Sequence, residues 1–355
     1  MDQPLIECIP NFSEGRDALL IARIAEAIRT VGGVKLLEVD PGAGAHRTVM
    51  TFTGAPAPVI EAAFQAISAA SRLIDMRLHS GAHPRMGATD VCPLVPLAGI
   101  TPEELVPYSV TLGRRVGEEL GIPVYLYERS ASAPFRASLA AIRQGEYEGL
   151  ARKLAEERWK PDFGPSVPPP RSGATVIGVR DFLVAYNVNL DTADVTIARE
   201  IACDLRERGR VRLLEGKPVT DAFGEKVYEP GLLKSVRAIG WFIEEYGIAQ
   251  VSMNLTNLKV TPLHEAFEAC RSAAARYGVR VTGSELVGLV PLDSLLEAGR
   301  YYLGKSPGKV TAIQAAEDPT PELLALAVHS MGLDALKPFD PGKKVIEYLI
   351  EASRE

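Results

Sequence analysis

The stretch VKLLEVDPGAGAHRTVMTFT, residues 34–53, decides the fold. It holds two apolar, β-branched runs, Val34 to Val39 and Thr48 to Thr53, on either side of the segment Asp40 to Gly44. Glycine and proline between two such runs are typical of a connection between neighbouring strands. The stretch therefore predicts two adjacent strands joined by a turn that begins at Asp40.

The sequence on either side of this strand pair gives the order βαββαβ. An apolar run (5–9) and a helical period (17–30) precede the pair, and a second helix (57–73) and a strand (90–95) follow it. The same order recurs after residue 180, with strands at 182–188, 236–243, 248–255 and 279–282 and helices at 193–206 and 262–277. Two copies predict an α/β (α+β) chain of two tandem ferredoxin-like subdomains with C-terminal helices.

This order sets the predicted domain limits, which are 1–165, 174–300 and a helical extension at 301–355. The stretch from Trp159 to Gly173 is proline-rich and predicts a stiff linker, with the boundary inside 161–173. A helix at 102–120 and a strand at 124–127 are read as additions to the first unit, and 208–230 as an excursion within the second. The tail predicts two helices broken at 337–342.

Composition narrows the class of protein. With 355 residues, the chain is long enough for two hydrophobic cores, and 46% hydrophobic with 24% charged residues is typical of a folded protein. A net charge of -6 argues against a nucleic-acid partner. The four cysteines have no paired spacing, so the sequence indicates reduced thiols and a cytoplasmic protein. We expect neither a leader nor a membrane span.

Histidine and arginine cluster in two loops. His79 and His83 are four residues apart, but Gly81 and Pro84 disfavour the helix that a zinc pair needs, so we expect no metal. A histidine satisfied by loop hydrogen bonds is the simpler alternative. Arg85 next to His83 favours acid–base chemistry beside a bound carboxylate.

The second loop repeats this pairing. His46 and Arg47 follow the turn that begins with Asp40, where a carboxylate could meet a cationic substrate group. Taken alone, Asp40 and Arg47 are more often explained by a surface turn with a salt bridge. Ser13, in the segment 11–15, is either a helix N-cap or part of an anion-binding loop. The chain contains no phosphate loop, nucleophile elbow or dinucleotide fingerprint.

At these residues the sequence resembles the glutamate formimidoyltransferases. The segments ECIPNFSEGR (7–16) and HPRMGATDVCP (83–93) are similar to that family's opening and central motifs. Further similar segments are GEYEG (145–149), PDFGP (161–165), QVSMNLTN (250–257), SELVGLVPL (284–292) and IEYL (346–349). The resemblance therefore covers nearly the whole chain.

The resemblance implies transfer of the formimidoyl group of N-formimidoyl-L-glutamate to N5 of tetrahydrofolate, a late step of histidine breakdown. It implies two ferredoxin-like halves around a substrate tunnel, a cytoplasmic homodimer, and tetrahydrofolate as the co-substrate. His83 corresponds to the family's general acid or base. The folate-contacting loop corresponds to ten residues: Gly164, Pro165, Ser166, Val167, Pro168, Pro169, Pro170, Arg171, Ser172 and Gly173.

The remaining roles are hypotheses. Asp40 is assigned to stabilise the amidinium, Arg47 and Arg85 to bind the glutamate carboxylates, and His46 to the substrate site. Two departures from the family pattern bear on this site: Ala82 replaces a glutamate before the histidine, and His46 replaces an asparagine.

Three rival functions stay open at this stage. One is a glutamate formyltransferase, and another is a folate-binding protein without turnover. The third is a metal-dependent hydrolase that uses His79, His83 and Asp90. We expect no cyclodeaminase domain of the kind that follows in the bifunctional relatives, and we therefore expect the reaction to stop at 5-formimidoyltetrahydrofolate.

Overall fold

The protein is described by a computed structural model that covers residues 4–81, 84–221, 224–305 and 317–351. The chain divides into two compact units, Met1–Asp181 and Phe182–Glu355. Each unit has its own sheet and its own hydrophobic core. The predicted mixed α/β chain with two tandem subdomains is confirmed.

The first unit contains a seven-stranded sheet. Its strands are β1 (Leu5–Cys8), β2 (Asn11–Phe12), β3 (Val34–Gly42), β4 (Arg47–Gly54), β5 (Thr89–Ala98), β6 (Val124–Glu128) and β7 (Thr175–Val179). Its helices are α1 (Ala18–Arg29), α2 (Pro56–Leu73), α3 (Pro102–Glu119), α4 (Leu139–Arg143) and α5 (Glu146–Leu154). Consecutive strands β1 and β2 both lie between β4 and β5, which gives the order β3, β4, β1/β2, β5, β7, β6.

Helices α1 and α2 close one face of this sheet because each carries an apolar stripe. Ile24 and Ile28 of α1 are fully buried at helical spacing and belong to the same hydrophobic core as Phe52 of β4 and Ile67 of α2. Helix α1 begins after Asp17, whose carboxylate accepts hydrogen bonds from the N–H groups of the first turn. Asp17 is therefore the N-cap, and the interpretation of Ser13 as the cap is wrong.

The hairpin between β3 and β4 is tighter than predicted. Strand β3 continues through Asp40 and Pro41 to Gly42, which pairs with Arg47, so the turn comprises only residues 43–46. Pro41 is compatible with strand structure here because β3 lies at the edge of the sheet, where a missing N–H breaks no ladder bond. Asp40 therefore belongs to the strand and not to the turn.

The second unit contains a four-stranded antiparallel sheet. Its strands are β8 (Val184–Leu190), β13 (Val236–Ile243), β14 (Ile248–Leu255) and β15 (Val281–Val287), and their order in the sheet is β13, β14, β8, β15. Two short hairpin pairings are formed by β9 (Arg210–Val211), β10 (Leu213–Leu214), β11 (Lys217–Pro218) and β12 (Tyr228–Glu229). The helices are α6 (Val195–Leu205), α7 (Leu263–Arg276), α8 (Leu292–Gly304), α9 (Thr320–Met331), α10 (Pro341–Lys344) and α11 (Ile346–Glu351).

The four main strands and helices α6 and α7 reproduce the predicted βαββαβ order. Because β8 lies between β14 and β15, the sheet has the split βαβ arrangement. Tyr186 and Val188 point from β8 into the core with α6, α7, α8 and α9. Polar residues alternate with them on the other face of the strand.

The division between the units lies later than the sequence suggests. Strand β7 follows the proline-rich stretch and pairs in parallel with both β5 and β6, so it belongs to the first sheet. The chain divides after Asp181 and not within 161–173. The stretch 164–173 lies within the first unit, so it is not a linker between units. The difference arises because short apolar runs such as 175–179 do not reveal which sheet they join.

Helices α4 and α5 were also not predicted. They cover a second, smaller core on the opposite face of the first sheet, which includes Tyr125, Ile142, Leu150 and Trp159.

The thiols of Cys8 and Cys92 face each other at 3.4 Å across β1 and β5, a proximity that their sequence spacing conceals. Burial raises the pKa of Cys8 well above its ordinary value. Within the described ranges, no helix is long and apolar enough to cross a bilayer.

Candidate functional site

The predicted site residues that the structure describes lie in the first unit, and Asp40, His46 and Arg47 belong to the β3–β4 hairpin. Gly15, after β2, packs directly beneath this hairpin, because a Cβ there would lie 2.5 Å from the carbonyl oxygen of Gly42. Gly81 packs against its tip in the same way, 2.5 Å from the carbonyl oxygen of Ala45. The glycines on these two loops therefore allow close backbone approach to the hairpin.

His46 and His79 form a stacked pair at the hairpin tip, with ring centroids 4.3 Å apart. The Nδ1 atom of His46 donates to the carbonyl of Ser80 at 2.8 Å, and its Nε2 lies 3.2 Å from the Glu14 carboxylate. Both ring nitrogens of His46 therefore face oxygen acceptors. Backbone N–H groups of the loop and His46 lower the pKa of Glu14 and outweigh the opposing effect of burial.

The hydrogen bonds of His79 fix it in one neutral tautomer. Its Nδ1 accepts from Nε of Arg85 at 3.2 Å, and a guanidinium can only donate. Its Nε2 must then carry the proton, which it donates to the carbonyl of His46 at 2.8 Å. Burial lowers the pKa of His79, consistent with the neutral ring. These contacts match the prediction of a structurally satisfied histidine at this position.

Arg85 is buried and already paired. Its guanidinium makes a bidentate ion pair with Glu148, at 2.6 and 2.8 Å, and a further contact with Glu146 at 3.0 Å. Gly145 and Glu146 both have positive φ, a conformation that starts α5 with both glutamates beside the arginine. Because these contacts and His79 use the Arg85 guanidinium, its contacts do not support the predicted binding of a substrate carboxylate by Arg85.

Arg47 presents the opposite case. Its guanidinium makes no hydrogen bond or ion pair with any residue that the structure describes, although most of its surface is buried. Burial lowers the pKa of Arg47, Arg143 lowers it further, and the carboxylates of Asp40 and Asp90 oppose this. Two guanidinium groups close enough to repel each other are suited to binding an anion. Asp40 itself is exposed and lies outside ion-pair distance of Arg47.

Arg143 is held in place by a buried carboxylate. The Asp90 side chain is 1% exposed, pairs with the Arg143 guanidinium, and accepts from the N–H of Met86 at 3.0 Å. Burial raises the pKa of Asp90, and Arg143 and the Met86 N–H oppose that rise. Asp90 therefore ties α4, which carries Arg143, to the segment that follows Arg85.

The loop that contains the histidines is joined directly to the segment that the resemblance assigns to folate. Gly87 bridges to Gly173, Ala88 donates to the carbonyl of Ser172 at 2.9 Å, and Ala174 donates to that of Met86 at 3.2 Å. A Cβ on Gly87 would lie 2.2 Å from the carbonyl oxygen of Ala174. Gly173 has φ +66 and makes an equally close approach to Met86. Both glycines are required by this contact.

Two further contacts extend this junction. Met76 donates to the carbonyl of Arg171 at 2.9 Å, and the Tyr147 hydroxyl donates to that of Pro170. Residues 164–167 of the same stretch are exposed, whereas Ser172 and Gly173 are buried. The end of the stretch at Ser172 and Gly173 is therefore held against the segment that follows His79 and Arg85, and the other end, residues 164–167, is exposed to solvent.

His83 and Ala82 lie outside the described residues, so the role of His83 stays a prediction. The Ser13 hydroxyl donates to the carbonyl of Gly87 at 2.8 Å and thereby holds the segment that follows Arg85 in place. Among the residues described, no cluster of three or more histidine, cysteine, aspartate or glutamate side chains is placed to hold a metal ion.

Several residues of the site were missed by the sequence reasoning. Glu14, Glu146 and Glu148 all lie in segments that resemble family motifs, and charged residues between glycines in such segments are a signal that was available. Arg143 lies in no such segment. Arg143 is recognised as a residue of the site only from its ion pair with the Asp90 side chain.

Comparison with known proteins identifies two adjacent family profiles along the chain. Residues 5–180 match the "Formiminotransferase domain, N-terminal subdomain", and residues 185–351 match the "Formiminotransferase domain". The limits of these two matches agree with the division after Asp181.

Individual relatives agree with the profiles. A formimidoyltransferase-cyclodeaminase of Dictyostelium discoideum is 47% identical over 98% of this chain and 60% of its own length. One from Rattus norvegicus is 46% identical over the same shares. The chain thus spans about 60% of the length of these relatives. A glutamate formimidoyltransferase of Thermoplasma acidophilum is 46% identical over 84% of this chain and 92% of its own length.

The junction of the two loops predicts a steric test. Gly87→Ala should lower the free energy of unfolding by about 1–3 kcal/mol, because the new methyl group must displace the backbone of Ala174. Gly44→Ala is the matched control, since nothing lies within 4 Å of a Cβ there, and it should change stability by less than about 0.5 kcal/mol. Denaturant unfolding of the three proteins measures both. Equal stability of the two variants would contradict the described contact.

The neutral state of His79 predicts a pH dependence. Because its pKa is lowered on folding, the unfolded chain takes up a proton first as the pH falls below about 6.5. The wild type should therefore lose stability on acidification that His79→Gln does not lose, while above pH 7.5 the difference between the two proteins should be constant. Unfolding free energies measured from pH 5.5 to 8 test this. A pH-independent difference throughout that range would show that His79 titrates normally.

Proposed function

Because this chain belongs to the formiminotransferase family, we propose that it transfers the formimidoyl group of N-formimidoyl-L-glutamate to N5 of tetrahydrofolate. The products are 5-formimidoyltetrahydrofolate and L-glutamate. The stand-alone relatives support this reading, since a chain of similar extent carries the name glutamate formimidoyltransferase in Thermoplasma acidophilum and in Streptococcus pyogenes.

The observation that carries the proposal is the junction of Gly87 with Gly173. It joins the loop of His79 and Arg85 to the stretch 164–173, which we assign to folate. Because the same stretch is exposed at 164–167, a ligand can reach it from solvent while its other end stays fixed. Donor chemistry and folate binding are thereby supported in one region of the first unit.

The reaction requires two proton transfers. N5 of the folate attacks the amidine carbon, a C–N bond forms, and N5 loses its proton. The bond from that carbon to the glutamate nitrogen then breaks, and the departing amine gains a proton. We assign both transfers to His83, since an imidazole with an ordinary pKa of about 6.5 can act first as base and then as acid.

We assign the substrate carboxylates to Arg47, with Arg143 beside it. Arg47 has a partly buried guanidinium without a hydrogen-bonding partner among the described residues, and the repulsion from Arg143 is relieved when an anion binds. Asp40, exposed at the end of β3, is placed to favour the positive charge of the amidinium.

Arg85 and His46 receive positioning roles in place of substrate binding. Arg85 is held by Glu146 and Glu148, and His46 is held by Glu14 and the Ser80 carbonyl. Together they fix His79 and the adjoining backbone. We further propose a cytoplasmic enzyme that works without a metal and acts as a homodimer, as the family resemblance implies.

The proposed function is tested by offering the purified protein tetrahydrofolate with either N-formimidoyl- or N-formyl-glutamate. We expect 5-formimidoyltetrahydrofolate from the first donor, and His83→Ala should lower kcat about 10²- to 10⁴-fold with little change in folate affinity. His329→Ala, at an exposed position of α9, is the control and should retain wild-type turnover. Turnover with the formyl donor alone would identify a formyltransferase. Folate binding without turnover would identify a binding protein.

The assignment of Arg47 predicts a specific kinetic change. Arg47→Ala should raise KM for formimidoyl-glutamate about 10- to 100-fold, the usual worth of hydrogen bonds to a charged group, with a smaller effect on KM for tetrahydrofolate. Arg23→Ala removes an exposed arginine from α1 and should leave both constants unchanged. An unchanged donor KM in Arg47→Ala would transfer the carboxylate-binding role elsewhere.

A further inference from the structure

His46 is the last residue of the tight β3–β4 turn, and its side chain is 13% exposed. Its backbone has φ +50, a conformation that histidine and asparagine adopt more readily than most other residues. From this position the imidazole ring contacts Glu14 in the loop before α1, and it contacts His79 and Ser80 in the loop after α2. The ring therefore connects three segments of the first unit.

The contacts of the His46 ring determine where its protons are. Nδ1 lies 2.8 Å from the carbonyl oxygen of Ser80, and a carbonyl oxygen can only accept, so Nδ1 carries a proton. Nε2 lies 3.2 Å from Oε1 of Glu14. The same oxygen accepts from the N–H groups of Arg16 at 2.8 Å and of Asp17 at 2.9 Å, and these donors stabilise the ionised carboxylate. An unprotonated Nε2 would direct its lone pair at that anion, so Nε2 carries a proton as well.

The stacked neighbour of His46 does not compete for this charge. His79 accepts from Nε of Arg85 through its Nδ1 and donates to the carbonyl of His46 through its Nε2, so its ring is neutral. Two charged imidazolium rings with centroids 4.3 Å apart would repel each other. The positive charge of the stacked pair therefore belongs to His46.

The charged groups on the adjoining loops favour this assignment. The Glu14 carboxylate contacts the His46 ring directly. The Arg85 guanidinium lies beyond His79 and is paired with two glutamates. The Arg16 guanidinium is exposed at the turn, where it donates to a backbone carbonyl. Direct attraction by Glu14 therefore outweighs repulsion from two cations that are paired or solvated.

We propose that His46 is a positioning residue that carries a positive charge at neutral pH and, in that form, holds the Ser80 carbonyl at the hairpin tip. The catalytic consequence rests on the proposed function, because Ser80 precedes the assigned acid–base residue His83 by three positions in the sequence. When His46 loses one proton as the pH rises, one of its two hydrogen bonds must be lost. The remaining proton stays on the nitrogen that faces ionised Glu14, since a charged acceptor is the stronger one, and Ser80 loses its donor.

The charge of His46 is measured directly by ¹⁵N NMR of the histidine ring nitrogens in the wild type. We expect both ring nitrogens of His46 to be protonated at about pH 7, whereas His79 should be protonated at Nε2 alone. The signals are assigned by their loss in His46→Asn and in His79→Gln, and the exposed His329 provides an internal reference. A single protonated nitrogen on His46 at that pH would overturn the inference without bearing on the proposed function.

Glu14→Gln tests the origin of the charge. The amide keeps an oxygen for the backbone N–H groups but removes the negative charge, so His46 should lose its proton about one pH unit lower than in the wild type. Glu26→Gln removes an exposed carboxylate from α1 and should leave the titration of His46 unchanged. The inference fails if His46 titrates at the same pH in Glu14→Gln and in the wild type.

The pH dependence of turnover separates positioning from a merely structural role. In the wild type, kcat should fall about tenfold as His46 loses its proton, because Ser80 then loses a hydrogen bond from a charged donor. Glu14→Gln should move this fall to lower pH in parallel with the titration of His46. His46→Asn is compatible with φ +50 but cannot titrate, so its kcat should show no such fall.

The outcomes of these measurements distinguish the inference from the proposed function. A fall in kcat that occurs at the same pH in the wild type and in both variants would overturn the inference and leave the proposed function intact. If the wild type turns over neither donor, the proposed function fails, and the NMR measurements still decide the charge of His46.

Discussion

The close contact between Gly87 and Gly173 is the constraint on which the first unit's site depends. It brings two backbones to a distance that no side chain at either position permits, and hydrogen bonds on both sides hold it. The described residues that flank this contact are also held at the hairpin tip, where Gly81 packs against Ala45 and His79 donates to the carbonyl of His46. The contact between Gly87 and Gly173 therefore positions both the stretch 164–173, which we assign to folate, and the segment that follows His79 and Arg85.

Around the hairpin tip, Arg85 and Arg143 are paired with carboxylates, whereas Arg47 is not paired with any residue that the structure describes. Glu14 faces His46, and Glu146 and Glu148 hold Arg85, which in turn keeps His79 neutral. Asp90 holds Arg143. Arg47 makes no such contact within the described part of the chain, and its partly buried position beside a second guanidinium favours the binding of an anion. This imbalance is the electrostatic basis for assigning the donor carboxylates to Arg47.

The sequence predicted the larger elements closely and the connections less well. The strands at 236–243 and 248–255 were predicted with the observed limits because periodicity and a clear turn agree there. The hairpin turn was misplaced because Pro41, which suggests a turn, is also compatible with an edge strand. β7 was given to the wrong unit because sheet membership depends on distant partners.

For the site, the sequence predicted the segments that carry the functional residues, but it did not predict their contacts. The ion pair of Arg85 with Glu146 joins residues 61 positions apart, and the repulsion between Arg47 and Arg143 acts between residues 96 positions apart. No local pattern contains that information.

The most direct test of this account is hydrogen exchange of the whole protein with and without folinic acid. The account places the loop at 76–88 and the stretch at 164–174 in one site, so the ligand should slow exchange in both segments together. Peptides from helix α9, which carries none of the assigned residues, provide the internal reference. Protection of the 164–174 stretch without any change at 76–88, or of neither segment despite binding, would contradict the claim that these two segments form a single site.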